Sequence, residues 1–305
     1  MGFAEEKNNP FAGIASYCHA CIMNQARSAA RFAELTEDQT ERIIAAARAA
    51  LEKAKAGDIL VQHVVRRVAD AIIQELGESP AFDIYAKLKE KSNILSLKYA
   101  GMLQKTIDDD ECPFETGLQI AAAGNVIDFG ARSYDTMNLD EELRILTEVP
   151  FARYDIAPLK KALESAATLL YLFDNSGEIV FDMLFIKTLQ QIYPNLRIVG
   201  AVRDKPIIND VTLEDAKAVG LDRLIPVISS GSVYPGTILA ETTAAFQQVF
   251  QSADVILSKG QGNFETLWPL ADQRIFFLLR IKCDYVAALS RVKKDTLVLM
   301  HGLQP

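Results

Sequence analysis

Leu169-Leu170-Tyr171-Leu172-Phe173-Asp174-Asn175-Ser176-Gly177-Glu178 is an apolar run of strand length that stops at an acid and turns through small residues. Ile179 to Ile192 then reads as a largely buried helix, so the unit is strand, turn and helix with acids at the turn. In open α/β sheets, ligands bind beyond the carboxyl ends of the strands, which puts Asp174, Asn175 and Glu178 where chemistry is usually done. Neighbouring strand residues point to opposite faces, so Asp174 and Asn175 converge on one ion only because the strand ends there. A hard cation is the expected guest. The same residue types also build ordinary helix-capping turns, and on this stretch alone both readings stand.

Outward from that unit, the chain from Tyr154 onward alternates strand and helix patterns. Strands are predicted at 168–173, 197–202, 223–227, 254–258, 274–279 and 296–300. Helices are predicted at 157–165, 178–192, 213–219, 237–250, 264–270 and 283–289. This alternation predicts an α/β protein, a three-layer α/β/α sandwich with a mainly parallel, Rossmann-like sheet, and right-handed crossovers would put all strand C-termini on one edge. The first third has no convincing strand. Thr36 and Gln39 form a capping box ahead of a stripe of Ile43, Ala47, Ala50 or Leu51, and Ala54 that Gly57 stops; Asp58 is placed to cap the next helix. Val61, Val64, Val65, Val68, Ile72 and Leu76 line that helix, and a fourth spans about 82–105. The acidic run Asp108 to Glu111, read as a solvated linker, and Cys112-Pro113 mark a junction. The expected division is a helical N-terminal domain over 1–112 and an α/β/α catalytic domain over 113–305.

The 305 residues are 50% hydrophobic with a net charge of −8, enough for proper cores and the wrong sign for a nucleic-acid partner. No apolar run reaches the length of a membrane helix, and the first residues lack a signal-peptide pattern, so a cytoplasmic protein without a membrane partner is expected.

A second acidic turn follows the next strand, in Arg203-Asp204-Lys205-Pro206-Ile207-Ile208-Asn209-Asp210. Asp210 would share the sheet edge with Asp174, and two carboxylates with an Asn amide oxygen suit magnesium or manganese, leaving positions for water and phosphate. Asp182 shares a helix face with Glu178, and a buried acid needs a partner; the cation or its bound water is the natural candidate. The third constellation, Ser258-Lys259-Gly260-Gln261-Gly262-Asn263-Phe264-Glu265, is a poor dinucleotide fingerprint but a fair anion cradle, with Lys259 adding charge and Lys282 a second cation over the same edge. Cys18 and Cys21 share a helix face without a zinc ligand set to complete them, and read as a buried structural pair.

Taken together, Cys18-His19-Ala20-Cys21 with Gln25, Gly124-Asn125 with Asp128, Asp174-Asn175-Ser176-Gly177-Glu178, Asn209-Asp210, Gly260-Gln261-Gly262-Asn263-Phe264-Glu265 and Lys282-Cys283 resemble the ARMT-like, metal-dependent damage-control phosphatases, the domain of unknown function 89. The chain resembles their cysteine-pair-bearing group over nearly its whole length. The resemblance implies Asp174, Asn175 and Asp210 as catalytic metal ligands for manganese, magnesium, cobalt or nickel. It implies that Glu178, Gly260, Gly262, Asn263 and Lys282 face the phosphate of a small phosphorylated metabolite such as a sugar phosphate. Asn125, Arg203 and Lys259 are added as substrate contacts. In the eukaryotic members the glutamate stands one residue further from the Asn than Glu178 does. Two rival readings are an adenosylmethionine-dependent carboxyl methyltransferase and a non-catalytic sugar-phosphate or metal-binding protein.

Overall fold

The computed structural model describes residues 10–11, 15–57, 59–124 and 149–302. The expectations at Asp58, Asn125 and Asp128 lie outside the described residues. Helices α1 (Ala15–Phe32), α2 (Glu37–Lys55) and α3 (Val61–Leu76) form the N-terminal bundle. Their apolar stripes meet in a shared core that includes Ile22, Ile43, Leu51, Val64 and Ile72. Thr36 and Gln39 make the expected capping box, and Gly77 ends α3 in the left-handed conformation. α4 (Ala86–Asp109) lies about four residues later than the sequence predicts. Asp108 and Asp109 therefore finish a helix, and Asp110 accepts from the Cys112 N–H at 2.8 Å and the Thr116 hydroxyl at 2.7 Å. The acidic run is thus a solvated helix end and turn. α4 puts Leu95, Leu103 and Ile107 into one core with α5 (Pro113–Ala123) and the sheet.

Among the described residues seven strands, β1 (Phe151–Tyr154), β2 (Thr168–Leu172), β3 (Arg197–Val202), β4 (Val227–Ser229), β5 (Val255–Lys259), β6 (Ile275–Arg280) and β7 (Leu297–His301), pair in the order β1-β7-β6-β5-β2-β3-β4. Every neighbouring pair is parallel except β6 with β7. The C-termini of β2 to β6 therefore share one edge, while β1 and β7 run the other way, a correction to the single-edge expectation. The short β1 escaped the sequence reading, and β4 lies beyond 223–227 because Leu221–Arg223 is a 3-10 turn. The connecting helices are α6 (Ile156–Ser165), α7 (Glu178–Ile192), α8 (Leu213–Val219), α9 (Ala244–Ser252), α10 (Gln261–Leu267) and α11 (Asp284–Ser290). α9 starts seven residues after its predicted 237 because Thr243 caps it, its hydroxyl accepting from the Phe246 N–H at 3.2 Å.

Alternation along β2 builds the layers. Leu169, Tyr171 and Phe173 face the core with α5 and α7, and Leu170 and Leu172 face Phe246 and Phe264 on the other side. Both faces of the strand are covered, which is why its sequence is a continuous apolar run. Among the described residues, no helix is long and apolar enough to cross a membrane.

Candidate functional site

The two acidic turns are joined backbone to backbone. The Val211 N–H donates to the Asp174 carbonyl at 2.8 Å, and the Ser176 N–H to the Asn209 carbonyl at 2.9 Å. Asn175 and Asp210 face each other as an isolated β-bridge. Gly177 takes φ +85° to turn the chain into α7. Ile208, β-branched, is held at φ +46° two residues before Asp210, a backbone strain of the kind that clusters at functional sites.

Asp174 and Asp210 are both buried. Burial first, then the neighbouring Asp210 and Glu178 carboxylates, push the Asp174 carboxyl up to about 8 against the pull of Lys282 and Arg203. Asp210 is also raised by burial, although the Arg203 Nε donates to it at 2.7 Å. Asn175 Nδ2 donates to Asp174 Oδ2 at 2.6 Å and lies 3.3 Å from Glu178 Oε2. Like charges crowded out of water are the environment a cation relieves. Among the described residues no group of three or more His, Cys, Asp and Glu side chains forms a metal cluster. The donors at this edge are thus two carboxylates and one amide, all hard oxygens, and they fit a divalent cation that keeps open positions.

The expectations for Lys259, Asp182, Arg203, Asn263 and Glu178 need correction. Lys259 does not reach toward substrate: its side chain is 0% exposed, and Nζ donates to Glu178 Oε1 at 2.6 Å, Asp182 Oδ1 at 2.5 Å and the Ala121 carbonyl at 2.8 Å. Burial alone would lower its pKa, but Asp182 and Glu178 more than offset that and hold the ammonium charged. The partner of Asp182 is therefore Lys259, with the Tyr171 hydroxyl donating at 2.7 Å, and not the cation. Arg203 is buried, spending its guanidinium on Asp210, the Thr237 hydroxyl at 3.1 Å and Asn263 Oδ1 at 3.0 Å. Asn263 is buried too: Nδ2 donates to the Lys259 carbonyl at 2.8 Å and lies 3.3 Å from the Phe173 carbonyl, while Oδ1 also accepts from Thr237 at 2.8 Å. Arg203, Lys259 and Asn263 form the frame beneath the acids and not a surface above them. Glu178, at 2% exposed, belongs to the same frame.

Gly260 and Gly262 are required by protein packing. A Cβ on Gly260 would overlap the Asp174 carboxyl, and one on Gly262 would overlap the Pro235 carbonyl. Lys282 remains the cation at the opening: it is exposed, and its charge pulls down both Asp174 and Asp210.

A cavity of about 460 Å³ lies between the helical bundle and the sheet edge. α1 contributes Tyr17, Cys18, Cys21 and Gln25, α3 contributes Gln62 and α10 contributes Gln261 and Glu265; the loop after β6 brings Lys282 and Cys283. Cys21 is exposed and Cys18 half-buried, so this pair lines the cleft and is not the buried structural pair the spacing suggested. Burial, then Glu265, Cys21 and Cys283, push the Cys18 thiol up to about 12.

Sequence reading missed Asn93, whose Oδ1 accepts from the Gly177 N–H at 2.6 Å and so ties α4 to the turn. It also missed Lys89, buried and paired with Asp83 at 2.8 Å and Asp215 at 2.6 Å. A signal was present: Lys89, Ser92, Asn93 and Ser96 recur at helical spacing, and all four are buried. Thr237 lies in an irregular loop with no periodicity to reveal it.

The damage-control phosphatase ARMT1-like domain matches residues 14–298. The chain is 35% identical over 290 residues to a damage-control phosphatase of Pyrococcus horikoshii, covering 93% of this chain and 96% of that protein. It is 27% identical over 277 residues to a damage-control phosphatase of Archaeoglobus fulgidus, covering 90% and 94%. The crystal structure of a duf89 family protein from Pyrococcus horikoshii superposes with a TM-score of 0.83 at 32% identity, covering 93% of this chain and 97% of that one. With this match along its length and fold, the chain belongs to the damage-control phosphatase ARMT1-like domain family.

Proposed function

We propose that the protein hydrolyses small phosphomonoesters, sugar phosphates or damaged phosphometabolites among them, with a divalent cation held by Asp174, Asn175 and Asp210. That it is a metal-dependent phosphatase follows from family membership and from relatives named damage-control phosphatase. The residue roles and the choice among manganese, magnesium, cobalt and nickel are our reading. The observation that carries it is the joining of the two acidic turns, which brings the buried Asp174 and Asp210 together at the sheet edge with the Asn175 amide bonded to Asp174.

When bound, the cation would offset phosphoryl charge and lower the pKa of an attacking water. The chain's own part is orientation and charge. Lys282 presents a positive charge beside the two acids, and the cavity beyond it would take the leaving group out of bulk water. The adenosylmethionine reading finds no cradle, because the space above Gly260 and Gly262 is filled by Asp174 and Pro235. A cytoplasmic site of action belongs to the same proposal and rests on four cysteines that are all free thiols.

The test is phosphate release from a phosphomonoester panel with each divalent ion and with chelator. Asp174→Asn and Asp210→Asn should keep the fold and lose most activity. Full turnover in chelator, or in folded Asp174→Asn protein, would sink the assignment.

A further inference from the structure

We propose that Glu178, clamped by the buried ammonium of Lys259, is a positioning residue that decides which end of the Asn175 amide meets the cation. The inference rests on the reading of Asp174, Asn175 and Asp210 as the metal site. An amide has one ligating end, its oxygen, and the terminal torsion of Asn is broad and two-fold, so the wrong end is easily presented. Here Nδ2 lies 2.6 Å from Asp174 Oδ2 and 3.3 Å from Glu178 Oε2. With the nitrogen turned to two carboxylates, Oδ1 is left on the other side of the amide. Asp174 is itself a ligand in this reading, so Glu178 is the acceptor that can hold the amide without competing for the ion.

Glu178 can do this only if it cannot swing. Its Oε1 receives Lys259 Nζ at 2.6 Å, and that ammonium spends its other two hydrogens on Asp182 Oδ1 at 2.5 Å and the Ala121 carbonyl at 2.8 Å. Tyr171 braces Asp182 from the strand at 2.7 Å. Buried ion pairs are poor sources of stability, since apolar residues of the same volume often do as well. Orientation is what this arrangement supplies and an apolar replacement would not. The relation matches that of carboxylates behind metal-bound side chains, which fix the ligand atom without touching the metal.

The experiment measures Mn²⁺ affinity of the full chain by electron paramagnetic resonance, independently of turnover, in four proteins: wild type, Glu178→Gln, Asn175→Asp and the double variant. Glu178→Gln offers the Asn175 amide a donor as well as an acceptor, and should weaken Mn²⁺ binding about 10- to 100-fold. In the Asn175→Asp background either side of the carboxylate can ligate, so the same Glu178→Gln change should cost less than about threefold. Equal losses in both backgrounds would make Glu178 a mere nearby charge and overturn the proposal, as would undiminished affinity in Glu178→Gln. Should Glu178→Gln not fold by circular dichroism, Lys259→Met in the same two backgrounds poses the same question, with the same outcomes. A folded wild type that binds no Mn²⁺ would instead refute the site reading beneath, and the proposal with it.

Discussion

Gly260 passes directly against the carboxyl of Asp174, with φ +81° and no room for a Cβ between them. The loop after β5 and the turn after β2 meet through this one missing side chain. Gly260→Ala should therefore both strain a backbone that, at φ +81° and ψ 161°, is all but reserved for glycine, at a cost of about 1–3 kcal/mol, and displace the carboxyl. We expect Mn²⁺ affinity and phosphate release to fall together while the far-UV circular dichroism is kept. Gly101→Ala is the control: it sits in α4 with nothing within 4 Å of its Cβ, and should be neutral or slightly stabilising.

Lys282 is the one expected phosphate contact that is an exposed cation at the cleft. Lys282→Ala should raise KM and weaken competitive inhibition by inorganic phosphate about tenfold or more, the worth of a charge-assisted hydrogen bond. Metal affinity should hold or tighten, because the lysine repels a cation at Asp174 and Asp210. Unchanged phosphate inhibition would take Lys282 out of the site.

Where the sequence reading succeeded, a strand period ran into an acid; where it erred, charge was read without asking which face carried it. Asp174 is legible because an apolar run ends beside it, and Asp210 because it stands in the acidic loop that follows the next strand. Beside two glycines, Lys259 reads as a phosphate contact. Yet Val255, Leu257 and Lys259 share one face of β5, and Val255 and Leu257 pack in the same core as Tyr171 and the apolar residues of α7. Period two already pointed Lys259 at α7, where Glu178 and Asp182 wait. Arg203 and Asn263 give no such hint, since each is satisfied in part by residues tens of positions away. The wall that α1 and α3 give to the cavity was equally out of reach, because the packing of a bundle on a sheet edge leaves no periodic trace.

The thiols of the cleft should be sluggish. Burial first, and then Glu265 and the neighbouring thiols, lift Cys18 to about 12, and burial raises Cys21 as well. Each is overwhelmingly protonated near neutral pH, and alkylation proceeds through the thiolate. Iodoacetamide at about pH 8 should therefore label Cys18 far more slowly than glutathione and Cys21 more slowly, with both rates climbing toward alkaline pH. A phosphorylated ligand in the cavity should slow it further. Peptide mapping by mass spectrometry reads both effects, and labelling as fast as free thiol would contradict this electrostatic picture.

Glu265 sets a pH dependence that can be isolated by one substitution. Burial pushes its carboxyl up to about 7, although the amides of Gln261 and Gln62, at 2.9 Å and 2.7 Å, pull the other way. The folded-state pKa stands above the unfolded value near 4.3. Between those limits the native protein binds more protons than the unfolded chain, and its stability must fall as pH rises. The contribution of Glu265 is thus complete below about 4.3 and lost as pH climbs through about 7. Glu265→Gln keeps the size and polarity of the side chain and removes the titration. In chelator, melting temperatures of wild type and Glu265→Gln should converge at the acid end, and the variant should gain on wild type as pH rises to about 7, holding that gain above it. A constant difference across the range would show that the carboxyl titrates alike in both states.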